Sequence, residues 1–155
     1  MEKINNPYAH IEGYNCIGCS PDNPIGLHLE FWADGDEVLT QWSPGENHQG
    51  WLNTLHGGII SLLMDEVANW VLLHSLHTSG FTSRLQVKFR RPVSTGDPLL
   101  TVRGRLAGSV GKFHTVHLTL HNAAGELCDE GEATYYCDER FAPELQEQKY
   151  KTEPQ

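Results

Sequence analysis

Residues 53–77 read NTLHGGIISLLMDEVANWVLLHSLH, and this stretch decides how the rest of the chain folds. It opens with a histidine and two glycines and continues as a mostly apolar run of about six helical turns. Ser61, Asp65 and Asn69 are spaced by four, so they would form one narrow polar stripe on an otherwise apolar helix. The pattern therefore predicts a buried central helix.

Asp65 is the residue of this helix that most needs an explanation. No Lys or Arg stands three or four residues away on either side, so no local charge would compensate its ionised form in a dry environment. The ordinary interpretation is a solvated carboxylate on a partly exposed helix. The alternative is a carboxylate held in a pocket as a base or nucleophile. The neighbouring Glu66 would point about 100° away, and we expect it to serve the structure.

The segment His56-Gly57-Gly58 stands where the helix begins. The N–H groups of a first helical turn have no partner within the helix, and glycines let a substrate oxygen come close to them. This arrangement would polarise a carbonyl group. A simple glycine turn that eases entry into the helix is an equally good interpretation of the spacing.

The distance between these two features predicts an oligomer. Gly57 and Asp65 are eight residues apart, which is about 12 Å along one helix and too far for both to act on the same bond. A two-fold dimer with antiparallel central helices brings the start of one helix near the middle of the other. We therefore expect an obligate dimer, either alone or within a dimer of dimers.

Alternating apolar and polar residues flank the helix on both sides. Residues 26–43 have the pattern strand, turn, strand, with a hairpin signal at Asp34-Gly35. Four further strands are expected between residues 84 and 137. The order favours an α+β fold in which an antiparallel sheet of about six strands wraps around one long central helix.

Length and composition set the broad class of the protein. At 155 residues the chain is expected to hold one domain over residues 26–138, preceded by an arm over 1–25 and followed by a polar tail over 139–155. Neither a leader peptide nor a run of 18 apolar residues is visible, which favours a soluble cytoplasmic protein without a membrane partner. The net charge of -9 argues against nucleic acid as a partner.

The four cysteines are expected to be free thiols. Cys16 and Cys19 form a CxxC, but Cys128 and Cys137 lack the spacing of a second zinc-binding pair. A tight turn with buried thiols is favoured over a metal site, so we expect neither a metal nor a cofactor.

Three segments of the chain carry a specific pattern: CIGCSPDNPIGLHLEF, HQGWLNTLHGGIISLLMDEVANW and LQVKFRRPVSTGD. The most specific feature is HGG with a carboxylate nine residues after the histidine. Over about residues 14–137 the chain resembles the hotdog-fold acyl-CoA thioesterases of the PaaI type, within the 4-hydroxybenzoyl-CoA thioesterase superfamily.

The resemblance implies roles for individual residues. Asp65 matches the family's catalytic carboxylate, Gly57 the N–H that polarises the thioester carbonyl, His56 the imidazole beside it, and Thr82 the hydroxyl that orients water. Many members carry an Asn where this chain has Gly50, six residues before the histidine. The remaining residues expected to bind substrate are Gly58, His48, Gln49, Asn53, Ser61 and Arg90.

The resemblance implies hydrolysis of an acyl-CoA thioester, with Asp65 as general base or nucleophile. Two other functions remain open. A hotdog enoyl-CoA hydratase or dehydratase would use His56 and Asp65 to move protons, and a non-catalytic module would bind acyl-CoA without turnover. The acyl group itself is not predicted.

Overall fold

One antiparallel sheet and one long helix build the core of the protein. The computed structural model describes residues 1–152, with side chains through residue 148. The strands follow one another across the sheet in the order β1-β2-β3-β5-β6-β7-β4. Their bounds are β1 Glu2–Ile4, β2 Phe31–Asp34, β3 Glu37–Trp42, β4 Phe81–Phe89, β5 Leu100–Val110, β6 Phe113–His121 and β7 Leu127–Tyr136.

The central helix α1 spans Gly57–Leu76, within the stretch from which the sequence predicted it. His56 caps its start, and His77 ends it in a left-handed conformation with φ 51°. By length and composition alone α1 is apolar enough to cross a membrane. Its place in the core accounts for that composition, because residues on most sides of it are buried. The buried residues are Ile60, Leu63, Met64, Val67, Ala68, Trp70, Val71 and Leu72.

Two glycines let the sheet approach α1 closely. A side chain at Gly131 in β7 would come within 2.7 Å of the Met64 sulfur, and one at Gly104 in β5 would come within 2.9 Å of Val67. The inner face of β7 therefore runs along the helix, with Gly131 opposite Met64 and Tyr135 hydrogen-bonded to Asp65. This packing fixes the height at which α1 lies above the sheet.

The N-terminal part of the chain differs in detail from the prediction. The first long strand was expected from residue 26, whereas β2 begins at Phe31. Leu27 and Leu29 are buried but bond instead to the carbonyl oxygens of Ile17 and Gly18 in the arm. The sheet has seven strands in place of about six, because residues 2–4 of the arm pair with β2.

The C-terminal segment, expected as a polar tail, contains the helix α2, Pro143–Thr152. The hydroxyl of Tyr8 in the arm lies 3.3 Å from the carbonyl oxygen of Pro143 and donates to it. The two ends of the chain are therefore in contact.

Strand β4 lies at one edge of the sheet. It pairs with β7 on one side, and no other described strand pairs with its second side. Its exposed residues include Arg84, Gln86 and Lys88, with the aromatic residues Phe81 and Phe89 at its two ends, both at least half exposed. An unpaired edge of nine residues can accept another strand.

Candidate active site

The carboxylate of Asp65 is fixed by two hydroxyl groups that come from different strands. Thr82 Oγ1 in β4 donates to Asp65 Oδ1 at 2.7 Å, and the Tyr135 hydroxyl in β7 donates to the same oxygen at 2.6 Å. The Tyr135 hydroxyl also lies 2.9 Å from the Asp65 carbonyl oxygen. Hydrogen bonds to an ionised acceptor are among the strongest in proteins, so the side chain is held in one orientation.

Both donors bond to Oδ1, which leaves Oδ2 without a hydrogen bond to the described residues. Asp65 is half-buried, so this second oxygen remains open to a ligand or a water molecule. Burial, and secondarily the Asp65 carboxylate, raises the pKa of Tyr135 well above its usual range. The phenol therefore stays protonated and acts as a donor at any physiological pH.

Tyr135 was not among the predicted site residues, although Thr82 was. A weak signal for it exists in the sequence, because Ala133 and Tyr135 alternate on the buried face of β7 and a buried phenol usually has a hydrogen-bond partner. That pattern does not identify the partner, which lies 70 residues away in the chain.

The start of α1 presents one backbone N–H that has no partner. The N–H of Gly58 donates to His56 Nδ1 at 2.8 Å, and the N–H groups of Ile59 and Ile60 donate to the His56 carbonyl oxygen. Among the described residues only the Gly57 N–H of this first turn lacks an acceptor. A helix end with one free donor is suited to bind an oxygen atom of a ligand.

The imidazole of His56 has a defined protonation pattern. Because Nδ1 accepts from the Gly58 N–H, the proton of the neutral ring is on Nε2, which is directed away from the helix. The ring also occupies the space beside Gly50, where an added side chain would lie 2.9 Å from His56 Cδ2. The amide that many relatives carry at this position would therefore not fit without a shift of His56.

The loop before α1 uses its predicted binding residues to hold its own shape. His48 Nδ1 accepts from the Gly45 N–H at 3.0 Å, and Gln49 Oε1 accepts from the Asn53 N–H at 3.2 Å. Asn53 has a left-handed backbone with φ 57°. These contacts position the loop beside the helix start, and a direct role in substrate binding stays a prediction.

Three further predicted residues lie in different places. Gly58 is exposed at the helix start beside His56. The Ser61 hydroxyl donates to the Gly57 carbonyl oxygen at 2.9 Å, so it supports the first turn of the helix. Arg90, just beyond β4, forms an ion pair with Glu130 at 2.6 Å. No described contact joins Arg90 to another predicted site residue, and substrate binding by Arg90 stays a prediction.

The structure does not bring Gly57 and Asp65 together within one chain. Both lie on the same continuous helix, eight residues and about 12 Å apart. They are associated with opposite ends of β4: Asp65 is bonded to Thr82 near its start, and a Cβ at Gly57 would lie 3.3 Å from the ring of Phe89 at its end. Within one chain the Gly57 N–H and the Asp65 carboxylate are therefore separate features.

Asp129 is a buried carboxylate that the sequence analysis did not single out. It is fully buried in β7, in register with Phe89, and neither of its oxygens has a hydrogen-bond partner among the described residues. Burial raises its pKa to about 6. It lies on the same face of β7 as Gly131 and Tyr135.

A second cluster lies on another side of α1. Glu66 does not bond to the partners of Asp65; its Oε1 lies 3.3 Å from Cys16 Sγ in the arm. The ligand atoms of Cys16, Cys19 and Glu66 all lie within 4.8 Å of one another. All four cysteines are free thiols, as predicted.

A protein-family model matches the central part of the chain. The model of the thioesterase superfamily matches residues 52–128, which span the end of the loop before α1, α1 itself and strands β4 to β7 as far as Cys128. Over these residues the chain is similar to the thioesterase superfamily. No curated protein sequence matches it.

Solved structures give the same fold. A thioesterase superfamily protein superimposes with a TM-score of 0.69 at 24% identity, over 78% of this chain and 62% of that protein. A hypothetical thioesterase from Streptococcus pneumoniae, solved with coenzyme A, gives 0.65 at 18% identity over 71% and 85%. The PaaI protein of E. coli, from the phenylacetic acid degradation operon, gives 0.65 at 15% identity over 72% and 80%. The prediction of a hotdog fold is therefore confirmed.

Proposed function

We propose that the protein hydrolyses an acyl-CoA thioester in a site shared between two protomers. One observation carries the proposal: the same helix holds a free N–H at Gly57 and an oriented carboxylate at Asp65, about 12 Å apart. The N–H group is suited to bind the carbonyl oxygen of the thioester, and the carboxylate is suited to attack on the carbonyl carbon. Each group needs its counterpart from a second copy of the chain.

The edge of β4 offers a way to bring the halves together. Two β4 strands that pair antiparallel about Gln86 would bring Thr82, which precedes the bulge at Ser83, beside the partner subunit's Phe89. Asp65 is bonded to Thr82 and Gly57 lies against Phe89, so each Asp65 would approach the helix start of the partner.

In this shared site the Gly57 N–H would bind the thioester oxygen as negative charge grows on it. A single donor of this kind contributes about 3 to 4 kcal/mol to the transition state. The positive end of the α1 dipole acts in the same direction. His56 would keep the neighbouring Gly58 N–H occupied, so that the substrate oxygen is directed to Gly57.

Asp65 from the other protomer would supply the attack. As a general base, Oδ2 takes a proton from water, the hydroxide adds to the carbonyl carbon, and the C–S bond breaks to release the acid and the CoA thiol. As a nucleophile, Oδ2 adds to the carbonyl carbon directly, CoA leaves as the thiolate, and water then cleaves the anhydride. In both routes Thr82 and Tyr135 keep the other oxygen occupied.

The match to the thioesterase superfamily model and the likeness to a thioesterase solved with coenzyme A support CoA as the thiol of the substrate.

The rival functions use the same residues differently. A module that only binds acyl-CoA has no need for a carboxylate held by two donors, and a hydratase would need a proton donor opposite Asp65.

Asp65→Asn tests the proposal. The variant keeps the size of the side chain, so its melting temperature should stay near that of the wild type while thiol release from acyl-CoA falls by about 100-fold or more. The measurement is a thiol-release assay over short, medium, long and aryl acyl-CoAs. The control is Asp36→Asn, which removes an exposed carboxylate at the turn between β2 and β3.

Unchanged turnover in Asp65→Asn would remove this residue from the mechanism. Hydration of an enoyl-CoA without hydrolysis by the wild type would favour the hydratase. Tight calorimetric binding of acyl-CoA with no thiol release would favour the binding module.

A further inference from the structure

The N-terminal arm folds its CxxC directly onto the middle of α1. A side chain at Gly18 would overlap the carboxylate of Glu66, so the backbone of the turn lies against that group. Cys16 Sγ lies 3.3 Å from Glu66 Oε1, and Cys19 is 6% exposed. The cluster joins two segments that are 50 residues apart in the chain.

The turn is held rigidly before any ligand arrives. The Ser20 N–H donates to the Cys16 carbonyl oxygen at 3.1 Å, which closes the turn. The carbonyl oxygens of Ile17 and Gly18 accept from the following extended segment at 2.9 Å each. Both thiols are therefore presented from a fixed backbone, as a preorganised binding site requires.

The three side chains are all acidic, and no described ion pair includes any of them. Glu66 Oε2 is buried without a hydrogen-bond partner among the described residues. A group of acids that converges in a buried place without a basic side chain is electrostatically complementary to a cation.

We propose that Cys16, Cys19 and Glu66 bind a zinc ion that fastens the arm to α1. Two thiolates and one carboxylate form a donor set that suits zinc better than calcium or magnesium, which prefer oxygen ligands alone. Around a tetrahedral zinc a thiolate sulfur and a carboxylate oxygen lie about 3.6 Å apart. The observed separation of 3.3 Å between Cys16 and Glu66 is close to that value.

The fourth ligand would be a water molecule. The cluster borders a cavity of about 120 Å³, which has room for water. The indole Nε1 of Trp70 is buried at this cavity, and no described residue offers it an acceptor. The Tyr14 hydroxyl lies 2.8 Å from Cys19 Sγ and can donate to it, which is the kind of outer contact that orients a zinc ligand.

A disulfide between Cys16 and Cys19 is the main competing use of this turn. It would leave the buried Glu66 carboxylate without compensation, whereas a bound cation satisfies all three groups at once. The zinc ion would bind Glu66, the residue that follows Asp65 in α1, on another side of the helix from the Asp65 carboxylate. It would hold the middle of the helix in place without taking part in the reaction.

The test uses the full-length protein purified under reducing conditions. We expect one zinc ion per chain by elemental analysis. After the metal is removed, Co²⁺ should bind and give the near-ultraviolet sulfur-to-cobalt band that thiolate ligands produce. Cys16→Ser, Cys19→Ser and Glu66→Gln should each weaken Co²⁺ binding by more than about 100-fold, beyond the roughly 10- to 100-fold cost of losing an outer contact.

Cys137→Ser is the matched control, because it replaces a buried thiol outside the cluster and should retain Co²⁺ binding. The metal content of the wild type keeps the test decisive even where a variant fails to fold. Wild-type protein with reduced thiols that binds no Zn²⁺ or Co²⁺ would overturn the proposal. Metal-free protein whose mass is lower by two hydrogens, with the loss assigned to a bond between Cys16 and Cys19, would also overturn the proposal. The turn would then hold a disulfide. Neither result depends on thioesterase activity.

Discussion

Asp65 shows what a single residue in a sequence can and cannot reveal. Its lack of a basic neighbour within one helical turn identified it as unusual, and the spacing to His56 matched a known pattern. The two hydroxyl groups that orient it come from β4 and β7, which are distant in sequence. Thr82 was predicted from the resemblance, whereas Tyr135 required the register of the sheet. Which side chains meet across a sheet depends on the order and register of the strands. The sequence predicts the strands but not how they pair.

Asp129 gives a prediction about stability and pH. Its pKa is raised by burial to about 6, whereas an unfolded Asp has a pKa near ~3.9. Above pH ~6 the charge is present in both states and destabilises the folded one. Between about pH 6 and pH 4 the folded state takes up its proton first, so the penalty disappears as the pH falls.

Asp129→Asn should therefore stabilise the protein at pH ~7.5 by about 1 to 2 kcal/mol, less than the roughly 3 kcal/mol of the full shift, because the buried amide also lacks hydrogen-bond partners among the described residues. At pH ~4 the variant and the wild type should unfold at the same denaturant concentration. Denaturant unfolding at both pH values measures the difference. A gain of equal size at both pH values would show that the charge is not its cause, and Asp36→Asn in the exposed turn between β2 and β3 provides the comparison.

At the scale of the elements, hydrophobic pattern predicted type and order well. The apolar run predicted α1, and the Asp34-Gly35 signal predicted the hairpin between β2 and β3; the structure contains both. The strand β1 was missed because three residues carry too little pattern, and the start of β2 was placed early. Leu27 and Leu29 alternate as in a strand, but they bond to the arm and not to the sheet. Alternation of apolar and polar residues indicates that one side of a segment is buried. It does not indicate which other segment provides the backbone hydrogen bonds.

Two variants at the start of α1 separate the effect of losing the Gly57 N–H from the effect of crowding at this position. Gly57→Pro removes the free N–H at the first helical position, where proline is well tolerated. His56 already has the extended backbone, with ψ 134°, that a residue before proline adopts. We expect kcat to fall by about 100-fold or more with a small change in melting temperature, because one donor to the carbonyl oxygen is lost.

Gly57→Ala is the control for this variant. It retains the N–H and adds only a Cβ, which would lie 3.3 Å from the Phe89 ring and require a small shift of that exposed side chain. Its kcat should stay within about threefold of the wild type, since the donor is intact. Steady-state kinetics of both variants give the result, and equal losses in the two would assign the effect to crowding.

At the scale of the whole molecule, the proposed site needs a second copy of the chain. The family match and the fold describe one chain, while the helix length separates Gly57 from Asp65 in that chain. The edge strand β4 connects the two observations, because it carries Thr82 near one end and Phe89 at the other. An antiparallel pair of such edges exchanges the ends, which a parallel pair would not do.

Mixed dimers test this arrangement directly. Asp65→Asn retains Gly57, and Gly57→Pro retains Asp65, so a dimer of one chain of each kind contains one complete site out of two. Co-expression with two different affinity tags and purification on both isolates such hybrids. Their turnover per dimer should reach about half that of the wild type, although each parent dimer is almost inactive. A doubly tagged dimer of two Asp65→Asn chains is the control and should remain inactive. Hybrids no more active than their parents would mean that both groups act within one chain, and the helical distance of about 12 Å would then have to be bridged by another residue.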